Sequence, residues 1–87
     1  MRIWVKVFSD THMINSETIE DYSEETRTHK IFKALEEACY RLDLGKPMWL
    51  DANVEEFKRL AKTRFTKDNF VEEVEFDYLE LHVIEED

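Results

Sequence analysis

Across 87 residues, 21 acidic side chains face 12 basic ones, a net charge of −9 with the three histidines neutral. A chain this short can bury about 60–65% of its unfolded surface, which makes one modest core and excludes a barrel or dinucleotide-binding enzyme scaffold. Hydrophobic content of 43% with 13% aromatics excludes a disordered acidic tail.

From the first residues, Arg2-Ile3-Trp4-Val5-Lys6-Val7-Phe8 alternates, placing Ile3, Val5 and Val7 on one face of a strand and Trp4, Lys6 and Phe8 on the other. Aromatic rings opposite an aliphatic face predict partial cover on both sides. Ser9-Asp10-Thr11-His12 carries turn chemistry, and a weaker second strand is expected within residues 13–22 around Thr18, Ile19 and Tyr22. Ser23 followed by Glu24 and Glu25 reads as a helix start, with acids where the dipole favours them. Ile31, Leu35, Ala38 and Leu42 then recur at helical spacing beside Phe32 and Cys39, and Gly45 with Pro47 is expected to end the helix.

Met48-Trp49-Leu50 bridges to a second helix, capped by Asp51 or Asn53, whose apolar face is Val54, Phe57, Leu60, Ala61 and Phe65. An irregular turn falls within residues 66–73. Val74, Phe76 and Tyr78 alternate, and Leu79, Leu81 and Val83 continue in the opposite phase, a pattern that predicts a bulged strand or one covered on both faces. The order β-β-α-α-β specifies one α+β domain over residues 1–87: a small, mostly antiparallel three-stranded sheet with two helices on one face and the two terminal strands central or side by side.

Few residues carry chemistry. Phe8-Ser9-Asp10-Thr11-His12 resembles the first motif of the calcineurin-like metallophosphoesterases, in which a D-x-H pair at a strand end ligates one ion of a two-metal site. That resemblance implies Asp10 and His12 as ligands, but the family's remaining motifs each need glycine, and the only glycine here is Gly45. A single metal centre built from Asp10, His12, His29 and His82 suits imidazole and carboxylate chemistry, though no spacing marks it and surface histidines are the plainer reading. Cys39 cannot form an internal disulfide and fits the core better than catalysis. Adjacent acid pairs diverge on helix or strand and serve as solvating charge. The chain is therefore read as no enzyme and as needing no cofactor.

Charge distribution says more. Residues 10–25 hold six acids and residues 72–87 hold eight, with no Lys or Arg in the first stretch before Arg27 or anywhere in the second. Window 57–67 has no acid and carries Lys58, Arg59, Lys62, Arg64 and Lys67. Glu55 pairing with Lys58 and Arg59 along the helix would make this an ordinary solvated face. Two functional readings compete with it. In the first, the domain is a protein-interaction module whose acidic strands meet a basic partner or the 57–67 stripe of a second copy, a homodimer. In the second, the 57–67 helix binds an anion, with Trp49 and Phe65 stacking on bases. The net charge disfavours nucleic acid as the partner, and admits acidic mimicry of it.

No apolar run approaches the ~20 residues that span a bilayer, and no signal-peptide pattern opens the chain, so a cytoplasmic setting without membrane contact is expected. Trp4-Val5-Lys6-Val7, Thr26-Arg27-Thr28-His29-Lys30, Trp49-Leu50-Asp51 and Phe76-Asp77-Tyr78-Leu79-Glu80 together resemble a group of short proteins of unknown function from gut-type Gram-positive bacteria. The resemblance implies a bacterial cytoplasmic setting and no site residues.

Overall fold

The computed structural model describes residues 1–87 as an α+β arrangement with four antiparallel strands. Strands β1 (Arg2–Ser9) and β2 (His12–Glu20) form a hairpin. Its two-residue turn has Asp10 at φ 52° and Thr11 at φ 66°, the left-handed pair that matches strand twist. A β-branched residue disfavours that conformation, so the turn needs outside support. Asp77 supplies it: its carboxylate accepts from the Asp10 N–H at 2.8 Å, and its own N–H donates to the Phe8 carbonyl at 2.9 Å.

Helix α1 runs Arg27–Arg41, later than the acids at 24 and 25 suggest. Thr26, not Ser23, is the N-cap, its hydroxyl accepting from the His29 N–H at 3.2 Å. The first turn therefore holds cations where the dipole opposes them. Acids from elsewhere offset this: Glu86 grips Arg27 through two hydrogen bonds of 3.0 and 3.1 Å, and Asp87 pairs with the buried Lys30. At the other end, Asp43 rather than Gly45 takes the left-handed position, φ 59°. Its N–H donates to Tyr40 and the Leu44 N–H to Cys39, which closes the helix with both bonds of a Schellman motif. Gly45 allows a close approach instead. Its N–H donates to Glu72 at 2.7 Å, and a Cβ there would stand 2.6 Å from the same oxygen.

The second helix is shorter than its apolar spacing predicts. Helix α2 spans Asp51–Leu60, and Ala61 stops it in the left-handed region at φ 55°. Lys62-Thr63-Arg64-Phe65-Thr66 then switches to a period of two and forms β3 (Lys62–Thr66), with Thr63 and Phe65 buried and their neighbours exposed. This strand makes the sheet four-stranded, not three. Strand β4 is Tyr78–Glu85; Val74 and Phe76, expected to open it, lie in the preceding loop with their side chains buried. The sheet order is β2-β1-β4-β3, so the two terminal strands are adjacent and central as expected.

One side of the sheet is the core. Ile3, Val5 and Val7 lie beside Val83, Leu81 and Leu79, and Thr63 and Phe65 complete the layer. Ile31, Ala34, Leu35, Ala38 and Cys39 of α1 and Phe57 of α2 close over it. Burial pushes the Cys39 thiol up to about 11, leaving it a packing residue with no thiolate at neutral pH.

A polar joint lies inside this layer. The Asn53 amide donates to the Thr63 hydroxyl at 2.9 Å and the Arg64 carbonyl at 2.8 Å. Its oxygen accepts from the Leu50 N–H at 3.1 Å and from Asn69 at 2.8 Å. Asn69 in turn donates to the Met48 carbonyl and accepts from the Thr66 N–H. Asn53 is thus the third residue of α2, reaching back to its start and across to β3, rather than the cap itself.

Candidate interaction surface

Both helices cover the same side, so the register of the strands fixes what the other side displays. Three rows cross it. Thr18, Trp4, His82 and Lys62 form one, Ser16, Lys6, Glu80 and Arg64 the next, and Met13, Phe8, Tyr78 and Thr66 the third. Beyond the first row, Arg2 sits between Glu20 and Glu85, 3.4 and 3.7 Å from their carboxylates.

The side chains of this face are locked to one another. Phe8 and Tyr78, directly opposed, stack with ring centroids 5.0 Å apart. Arg64 lies 4.5 Å over the Tyr78 ring and Lys6 lies 4.2 Å over Trp4. Glu80 joins the rows: its carboxylate is 2.9 Å from Lys6 and 3.2 Å from Arg64. Only 9% of the Glu80 side chain and 12% of the Lys6 side chain reach solvent, so this is a desolvated ion pair beneath aromatic cover. Burial pushes the Glu80 carboxyl up, but hydrogen bonds and charge from Lys6 and Arg64 outweigh it and leave the group below its ordinary range. His82 moves the other way from a base's advantage: burial first, then Lys6 and Lys62, hold it below 6.5 against the pull of Glu80. Its Nδ1 is buried without a partner.

Four cations and three carboxylates share this face, so it is the part of an acidic chain where charge is balanced. Glu75 and Asp77, which sequence reading assigned to the terminal strand, stand instead in the loop before β4, beyond Glu72 and Glu73 of the same loop.

The cationic window 57–67 is not one helix, and its residues part company. Lys58 and Arg59 end α2, Lys62 and Arg64 point from β3 to the uncovered face, and Lys67 begins a 3-10 turn. Phe65 is fully buried and can stack on no base. Trp49 packs edge-on against Phe32, Phe57 and Phe65 at centroid distances of 5.1–5.8 Å, on the core side. The expected pairing of Glu55 with Lys58 or Arg59 is not formed, and Lys58, Arg59, Lys62 and Lys67 have no carboxylate within 4.0 Å.

The metal set does not assemble. Asp10 and His12 belong to the hairpin end, His29 to the first turn of α1 beside Glu25, and His82 to the middle of the uncovered face. Trp4, opposite His82, is five residues along β1 from Ser9, opposite His12, which separates the two sites by roughly 15 Å. No three His, Cys, Asp or Glu side chains gather as a metal centre requires.

Sequence reading passed over Trp4, Phe8, Tyr78 and Glu80 as site residues. The signal was present in β1, where Trp4, Lys6 and Phe8 share a face, but only the register adds Tyr78 and Glu80 to it. No helix is long and apolar enough to cross a membrane. Comparison with protein families, curated proteins and solved structures finds no match for this chain.

Proposed function

We propose that this chain is a non-enzymatic protein-interaction module, acting in the bacterial cytoplasm, that meets its partner through the uncovered face of the sheet. One observation carries the reading. Phe8, Tyr78 and Arg64 are stacked together on a sheet face that no helix covers, and Trp4, with Lys6 over its ring, shares that face. Trp, Tyr and Arg are the residues that most often dominate binding energy at protein interfaces, and side chains ordered in advance lose little entropy on docking. Balanced charge on this face suits a protein surface, another chain or a second copy, better than a polyanion.

Site-specific photo-crosslinking tests the reading. A benzoylphenylalanine at Thr66 or Thr18, both exposed on the face, should give discrete protein adducts in the native host, while one at the exposed Tyr40 of α1 should not. Trp4→Ala should abolish them. The same adducts from all three positions, or none from the face, would refute the assignment. Light scattering then tells a second copy from a different partner.

A further inference from the structure

The groove between α1 and α2 is a separate feature, on the opposite side of the molecule from the uncovered face. It encloses about 280 Å³. Phe32, Trp49, Val54 and Phe57 wall it, and Arg27 and Lys58 stand at its rim. No carboxylate lines it, in a chain with 21 acids. Arg27 is held by Glu86 and lies 5.2 Å over the Phe57 ring, whereas Lys58 is unpaired. Trp49 keeps its indole N–H buried with no acceptor.

We propose that this groove binds a small aromatic monocarboxylate. Its walls meet one another edge-on, the arrangement into which a further aromatic ring fits with its own edge or face. An apolar cavity of about 150 Å³ holds benzene, so this space takes one ring with a short acid arm. The ring packs against Phe32, Val54 and Phe57, and the carboxylate supplies the opposite charge that Lys58 lacks. With Arg27 already answered by Glu86, the unpaired Lys58 is the rim charge that selects an acid over an amine or a neutral amide.

Phenylacetate and its amide, phenylacetamide, are suitable probes because they share a ring and differ in charge. Titrated into the ¹⁵N-labelled full chain, phenylacetate should shift the Trp49 indole N–H resonance and the amides of Thr28, Phe32 and Val54 with saturation, leaving Trp4 unmoved. Phenylacetamide should bind roughly tenfold more weakly, the effect of losing one charge-assisted contact. Lys58→Glu should weaken phenylacetate by at least as much. Absence of a saturable shift up to about 10 mM, or equal affinity for acid and amide, would overturn the proposal. The acid–amide comparison uses the unaltered chain, so it decides the matter even if the substitution disturbs folding.

Discussion

The uncovered sheet face and the inter-helix groove are both half-exposed and rich in aromatic rings, and they treat their polar groups in opposite ways. On the sheet, Glu80 is nearly buried but answered twice, by Lys6 and Arg64. In the groove, Lys58 has no carboxylate and the Trp49 N–H has no acceptor. Register explains the difference. Antiparallel pairing brings Lys6, Glu80 and Arg64 into one row, so the strands that build the sheet also complete its ion pairs. Helices α1 and α2 have no such register between them, and nothing obliges the side chains along the gap to pair. Pairing completed within the sheet holds that face rigid for a partner surface, whereas the groove leaves a charge that a small ligand can answer.

Four measurements put this contrast to the test. The largest effect is expected from Glu80→Ala, which leaves the nearly buried Lys6 unpaired and should lower unfolding free energy by about 3–4 kcal/mol in urea denaturation. A loss under about 1 kcal/mol would mean that solvent screens the pair and that the sheet face is no more finished than the groove. Asn53→Ala should cost about 2–3 kcal/mol by the same measurement, because it strips partners from Thr63, Asn69 and the Leu50 N–H at the joint between α2 and β3.

A pH titration gives the third. The folded chain holds His82 below 6.5, so the unfolded chain binds a proton that the folded one refuses. Stability should therefore fall as pH drops from 7 through 6.5 toward the folded value. His82→Gln should flatten that decline, and an unchanged slope would remove His82 from the account. Lys58→Ala is the smallest: with no ion pair to lose, stability should stay within about 0.5 kcal/mol of the parent. A larger loss would show that the groove rim is structural after all.

Much of the fold was legible because local signals agree with it. β1 alternates over its whole length, and α1 repeats its apolar residues over four turns, so each fixes its own period. The errors fall where two periods compete. Leu60, Ala61 and Phe65 continue the helical spacing of α2, yet Thr63 and Phe65 also alternate, and burial beside Leu79 and Leu81 decides for the strand. Ser23 and Gly45 have the right chemistry for caps, but Thr26 and Asp43 hold the capping geometry. Of the residues expected to bind a partner, only Trp49 and Lys58 share the groove and only Lys62 and Arg64 share the open face. Phe65 lies in the core.

By itself the sequence determined the class of the fold, its central strands, its first helix and the acidity of its surface, because these follow from composition and from periods of 2 and 3.6 read along one segment. Only tertiary structure decided which side of the sheet stays open, that Glu80 is neutralised by residues 74 and 16 positions away, and that Trp49 and Lys58 meet Phe32 across a gap. Those relations depend on strand register and on the separation of two helices, which are set by packing between segments that carry no mark of one another in the chain.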